Sequence, residues 1–171
     1  MWQFLPHMNE EESLPLFLEE DGTLKYVYCH SDGYPSYLGR MLLTYYNTPE
    51  LATGLVNLGD LSMVRSMLRE RLVPDKGKYH TFKKPVREGP KSGITTAYHR
   101  DRKERLHINK TVIGGPDIST NAKKAFLDIT KSNYIPYAYL YDIAEKQWFA
   151  CDTCQDCGFA FLNENYLQTH V

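Results

Sequence analysis

Short aromatic runs of strand character alternate along this chain with segments whose apolar residues recur at helical spacing. That alternation restricts the fold more than any other feature. Leu24–His30 (LKYVYCH) is short, aromatic and β-branched, as strands are. Ser31-Asp32-Gly33-Tyr34-Pro35 then turns the chain, with Asp and Gly favouring the turn and proline ending any ladder. With Ser36 as N-cap, a helix is expected over Tyr37–Tyr46, because Leu38, Met41, Leu42 and Tyr45 fall on one helical face. Thr48-Pro49-Glu50 opens a second helix, with Leu51, Leu55 and Leu58 as its apolar face and Gly59 closing it. Asp60 or Ser62 caps an expected third helix running to about Arg71. Ile94–His99 reads as a strand and Ser119–Ser132 as a helix presenting Ala122, Ala125, Phe126 and Ile129. Tyr137–Tyr141 and Gln147–Cys151 flank a turn and predict a hairpin of aromatic strands. A short helix is expected around Asn163–Gln168. This order predicts an α+β fold: a mainly antiparallel sheet of about four strands with helices packed on one face.

The 171 residues, 42% hydrophobic and 24% charged, exclude collagen, coiled coil and wholesale disorder. Pro6, Pro15 and a run of acids mark residues 1–23 as an acidic N-terminal appendage. Residues 24–157 are expected to form a single domain and 158–171 a C-terminal tail. No apolar run approaches the roughly 20 residues that span a bilayer. Met1–Pro15 lacks a basic start followed by an apolar core, so no secretion signal is expected. The four cysteines then read as reduced thiols in a cytosol.

The formal net charge of -1 conceals a segregation. Residues 1–64 carry two basic and nine acidic side chains, net -7; residues 65–110 carry fourteen and five, net +9; the remainder is net -3. Residues 73–93, broken by Pro74, Gly77, Pro85, Gly89, Pro90 and Gly93, read as a long basic loop, with Tyr79, His80 and Phe82 interleaved. Loops of that length are commonly functional or disordered. Basic groups among aromatics suit phosphate contact and base stacking, or an acidic protein surface. The candidate binding residues are Arg65, Arg69, Lys83, Lys84, His99, Arg100, Arg102, Lys103 and Arg105, with Tyr34 and Arg40 from the preceding turn and helix. The opposing reading is that the -7 block folds over the +9 block and neutralises it.

Three further constellations carry chemistry. His99-Arg100-Asp101-Arg102 echoes a kinase catalytic loop, yet no glycine-rich loop, strand lysine or Asp-Phe-Gly accompanies it, so a kinase is rejected. Its arginines suit bidentate contact with phosphate or carboxylate. Cys29, His30 and Asp32 offer a nucleophile, a base and an orienting acid. Adjacent strand residues point to opposite faces, however, which favours a turn motif with Cys29 buried. Cys151-x-x-Cys154-x-x-Cys157 places three thiols within reach of one tetrahedral zinc ion, with His170 or Cys29 as fourth ligand. The alternative is a reduced cysteine-rich turn.

The run Tyr28-Cys29-His30-Ser31-Asp32-Gly33-Tyr34-Pro35 resembles a family of small bacteriophage proteins built on a Tyr-Cys-His-x-Asp-Gly-Tyr-Pro motif. Asn57-Leu58-Gly59-Asp60-Leu61-Ser62, Ala97-Tyr98-His99-Arg100-Asp101-Arg102 and the closing Tyr139-Leu140-Tyr141-Asp142 … Trp148 hairpin are similar to the same pattern. The likeness covers about residues 24–150. It departs at Ser31, where those proteins carry tryptophan. The resemblance brings no catalytic residues with it. It implies a phage origin and action in the cytoplasm of a bacterial host. The expected function is a binding protein that inhibits a host defence system, such as a CRISPR effector, by occupying a charged surface. Nucleic-acid or nucleotide binding through residues 65–110 is the second reading, and a small enzyme using Cys29 and His30 the third.

Overall fold

The computed structural model describes residues 11–68, 74–75, 78–79, 93–152 and 159–170. The fold is α+β, built on a six-stranded mixed sheet. Its strands are β1 (Ser13–Leu18), β2 (Thr23–Tyr26), β7 (Asn109–Val112), β8 (Tyr137–Asp142), β9 (Gln147–Asp152) and β10 (Phe159–Phe161), in the order β10-β9-β8-β1-β2-β7. β3 (Leu61–Met63) pairs with β6 (Thr96–Ala97), and β4 (Pro74–Asp75) with β5 (Lys78–Tyr79), as two small antiparallel ribbons. The helices are α1 (Arg40–Tyr45), α2 (Pro49–Val56), α3 (Tyr98–Arg102), α4 (Ile118–Ser132) and α5 (Glu164–Thr169). A π-helical turn, Pro35–Gly39, leads into α1.

The expected sheet of about four antiparallel strands is corrected in two ways. It has six strands, and β1 pairs parallel with β8. β1, β7 and β10 join the sheet unforeseen while β6 pairs elsewhere with β3; the parallel pairing comes from β1, which lies within the segment expected to be an appendage. All six of its residues are buried. Leu14, Leu16 and Leu18 face one core cluster and Phe17 the other. A strand flanked on both sides and covered on both faces reads as a continuous apolar run. Pro15 is tolerated there for a local reason. Its carbonyl accepts the Val27 N–H at 3.1 Å, so its missing N–H also falls on the β2 side. There the regular ladder of β2 has ended at Tyr26, the Val27 bond is the one link kept, and two-way bonding returns at the Ser13–Cys29 bridge.

The helices occupy both faces of the sheet rather than one. On one face α1, α2 and α5 pack Leu42, Leu55, Tyr166 and Leu167 against Phe17, Tyr139, Tyr141 and Trp148. On the other, α4 packs Ala122 and Phe126 against Leu16, Leu24, Leu140 and Phe149. Helix starts follow local chemistry. Thr48 Oγ1 accepts the Leu51 N–H with Pro49 in the first turn, Asp117 accepts from Thr120 N–H, and Asn163 from Tyr166 N–H. The buried face of α2 is Ala52, Leu55 and Val56, while Leu51 is exposed. Ser36 caps nothing: Tyr34 occupies the capping position and Pro35 opens the turn.

The expected third helix after Asp60 is instead β3. Leu61 donates its N–H to Tyr28 O at 2.7 Å and accepts from His30 N–H at 2.9 Å. The Asp60 carboxylate, free to cap a local helix, accepts the Tyr28 N–H at 3.0 Å instead. The strand expected over Ile94–His99 shortens to β6, because Tyr98 begins α3. Most of the loop 73–93 lies outside the described residues.

Candidate functional site

The segment from α3 to β7 carries exposed cations, and bonds both within it and to Leu68 and Asp60 hold it in place. Asp101 Oδ2 accepts the Ala97 N–H at 2.8 Å, fastening the first turn of α3. Arg100 grips Asp101 with Nε and Nη2, both at 3.0 Å. The same guanidinium donates from Nη1 to Leu68 O at 2.7 Å and from Nη2 to Thr95 O at 2.6 Å. Lys103 ends the helix in the left-handed region, φ 58°. His99 Nδ1 lies 2.8 Å from Glu104 O, and the Arg102 guanidinium stacks 5.2 Å from the Tyr98 ring centroid. Beyond, Leu106 and His107 close over Gly59 (φ +81°), where a Cβ would meet Leu106 Cδ1 at 2.8 Å. His107 Nδ1 reaches Asp60 Oδ2 at 2.9 Å, so one carboxylate ties β3, Tyr28 and the ridge together.

This geometry sorts the candidate binding residues. Arg65 Nη1 is committed to Ile94 O (3.0 Å) and Thr96 Oγ1 (2.8 Å). Arg100 is a clamp on backbone carbonyls. Tyr34 donates to Asp32 Oδ1 at 2.8 Å, and that carboxylate raises the tyrosine's pKa. Arg40 pairs with Glu164, away from the ridge. Lys103 and Arg105 stand exposed, and so does Lys110 on β7. Arg69, Lys83 and Lys84 lie outside the described residues. Lys110, and the 76% exposed Val112 that follows it on the same strand, are absent from the sequence-derived set. Nothing local marks residues 109–112 as the edge of a sheet.

The described ion pairs do not bring the acidic first block broadly over the basic second. Lys25–Glu19 lies within the first block, Arg100–Asp101 within the second and Lys123–Glu145 within the third. Asp60–His107 joins the first block to the second, as an ion pair while the imidazole is protonated.

Cys29 and His30 point to opposite sides, as alternation requires. Cys29 is 0% exposed, with Sγ 3.7 Å from Ser31 O, and burial pushes its thiol up to about 11. His30 is exposed and its Nδ1 meets the Tyr28 hydroxyl at 2.6 Å. A nucleophilic thiol needs its anion, which this burial disfavours. The Tyr28–Pro35 run acts as a junction. Gly33 donates its N–H to Glu11 O at 2.7 Å and accepts the Tyr139 hydroxyl at 2.7 Å.

These burial-raised groups predict alkaline sensitivity. Cys29 rises from 9.0 to about 11 and Tyr46, bonded to Thr95 Oγ1 and Arg65 O, rises from 10.0 to about 12. The folded chain keeps both protons after the unfolded chain has released them. Their contribution is therefore complete below about pH 9 and lost as pH climbs through about 11 to 12. Thermal melts from pH 8 to pH 12 are expected to show that decline, shallower in Cys29→Ala; identical profiles for the two chains would refute it.

The expected zinc set is not assembled at its described members. Cys151 is buried in the cluster beneath α4, whereas His170 follows α5, which packs on the opposite face. The His170 ring stacks on Tyr166 with centroids 3.8 Å apart, and its Nδ1 is 2.9 Å from Tyr166 O. Cys29 also lies in the cluster on the α5 side. Cys154 and Cys157 lie outside the described residues, and among the described residues no three His, Cys, Asp or Glu side chains converge on a metal position.

No family model matches the chain, and no curated protein or solved structure does. No helix among the described residues is long and apolar enough to cross a membrane.

Proposed function

We propose that this protein is a binding protein that docks through the α3–β7 ridge onto an anionic surface of its partner. The partner in this reading is a bacterial host defence complex, a CRISPR effector being one candidate. Docking inhibits that complex by occupying its surface. The carrying observation is the exposed run Lys103–Lys110, in which Lys103, Arg105 and Lys110 stand beside one acidic residue in sequence, Glu104. Residues whose charge is already committed, Arg65 and Arg100, hold the scaffold beneath it. The motif resemblance supports the phage setting, and the charge supports the mode of contact. Exposed cations of this kind steer encounter and discriminate partners, with an effect that salt weakens.

The test is a pull-down of the tagged full chain from host cells. The wild type is expected to recover one defence complex. The triple variant Lys103→Glu/Arg105→Glu/Lys110→Glu is expected to lose it by about tenfold or more, since like charges then oppose each other across the interface. Surface substitutions of this kind leave stability within about 0.5 kcal/mol, so an unchanged melt separates lost binding from lost fold. Equal recovery by both chains would sink the proposal. Recovery of nucleic acid alone would move it to the direct nucleic-acid reading.

A further inference from the structure

We infer that the outer edge of β7 is a strand-docking edge, and that an acidic extended segment of a protein partner adds there as a seventh strand. This rests on the reading of the α3–β7 ridge as the binding surface. It specifies how the partner is held.

β7 ends the sheet, with β2 on one side and no further strand on the other among the described residues. Ile113 donates its N–H to Gly22 O at 2.8 Å. In an antiparallel ladder the inward-facing residues alternate, so the backbone groups of Thr111 and Asn109 also turn toward β2. Those of Lys110 and Val112 therefore turn outward. Two N–H groups and two carbonyls are presented along an edge whose Lys110, Thr111 and Val112 are exposed. Strand addition satisfies such groups by main-chain hydrogen bonds, and alternate side chains set specificity.

Charge chooses the occupant. An exposed lysine on an edge strand opposes indiscriminate pairing. A second copy of this chain would bring Lys110 and its basic neighbours against themselves, and like charges across a strand pair are destabilising. Lys25, directly across from Lys110, is already held by Glu19 (3.1 Å), Thr53 Oγ1 and Asn57 Oδ1 (both 2.7 Å). Lys110 is exposed, and the exposed Lys103 and Arg105 precede it in the chain. Val112 at 76% exposure and Leu106 at 46% add apolar anchors. The complementary segment alternates acidic and apolar residues.

The experiment titrates a peptide of about ten residues, alternating glutamate and valine, into the full chain at low salt. Amide hydrogen exchange is followed at each position. The expected result is binding with new protection at the Lys110 and Val112 amides. Val112→Pro removes one outward donor while leaving the inward bonds of Thr111 and Ile113, and is expected to weaken binding about tenfold, the size of one lost hydrogen bond. A peptide of the same charge, N-methylated at alternate positions, is expected to bind as weakly. If Val112→Pro fails to fold, the wild-type exchange and the methylated peptide decide. Binding that responds to Lys103→Glu/Arg105→Glu/Lys110→Glu but gives no protection at Lys110 or Val112 overturns strand addition and leaves the cationic ridge standing. No peptide binding, with single-stranded nucleic acid bound instead through the same three residues, also overturns it. If neither ligand binds and the pull-down is empty, the ridge reading falls as well.

Discussion

Trp148→Ala is expected to destabilise the protein by about 4 kcal/mol, within the range for emptying a buried aromatic site. Trp148 is 0% exposed, lies on β9 between β10 and β8, and meets Tyr141 edge-on at a centroid distance of 5.3 Å. Tyr141 in turn stacks on Phe17 of β1 at 5.6 Å. The indole therefore supports three strands through one aromatic column. Its Nε1 also donates to Tyr46 O at 3.0 Å, tying β9 to the end of α1. Deleting it opens a cavity and leaves that carbonyl buried without its donor. The melting temperature is expected to fall by roughly 8–16 °C, since 1 kcal/mol corresponds to about 2–4 °C at this chain length. Trp148→Phe keeps much of the apolar volume and loses the hydrogen bond, so it should fall between wild type and alanine. A melt for Trp148→Ala within 3 °C or so of wild type would contradict this role.

The second large effect is expected at Gly33→Ala. A Cβ there would lie 2.5 Å from both the Glu11 carbonyl oxygen and Ser13 Cβ, and 2.7 Å from Ser13 Oγ. Real Cβ atoms do not approach backbone so closely, and the groups in the way belong to the start of a central strand. Gly33 must also keep its own N–H bond to Glu11 O, so it cannot simply back away. The preceding Asp32 already holds φ 52°, so the loop has little conformational slack. Overpacking of this kind costs about 1–3 kcal/mol or more. We place it near the upper end, about 3 kcal/mol, with a loss of roughly 6–12 °C in melting temperature. Urea unfolding would measure it directly. A smaller urea m-value alongside the loss would indicate that the β1 end had already come away. No loss at all would mean that the junction is not tight.

This junction explains the Asp-Gly-Tyr-Pro run in physical terms. The run looks chemical in sequence, with a cysteine, a histidine and an aspartate in four positions. Folded, each group has structural work. Cys29 bridges Ser13 and Leu61, Asp32 receives the Tyr34 hydroxyl, Gly33 lets β1 pass, and Pro35 opens the turn into α1. Burial of Cys29 was legible from residue type. The need for a glycine was not, because the atoms that crowd Gly33 come from residues well upstream.

Elements with local signals are legible in the chain. Thr48-Pro49 starts α2, the amphipathic run makes α4, and the Tyr137–Tyr141 and Gln147–Cys151 strands pair as a hairpin. All three are decided by residues within a few positions of one another. Elements set by distant partners are not. Pro15 and the acids around it disguise β1, whose stability comes from β2 on one side and a parallel β8, far along the chain, on the other. Residues after Asp60 carry helical spacing, but the open backbone at Tyr28 and His30 captures them as β3.

The charge segregation was visible in the chain alone, because charge is a property of each residue. Which cations remain available is a property of the fold. Arg65 and Arg100 look equivalent to Lys103 and Arg105 until Ile94, Leu68 and Thr95 present their carbonyls. A guanidinium with several donors and a fixed plane is drawn to such groups, while an ammonium beyond the helix end stays in water. In the same way, residue types alone make Asn109–Val112 a polar stretch of modest strand propensity. Only the order of the sheet makes it an edge, because an edge is defined by the strand that is missing beside it.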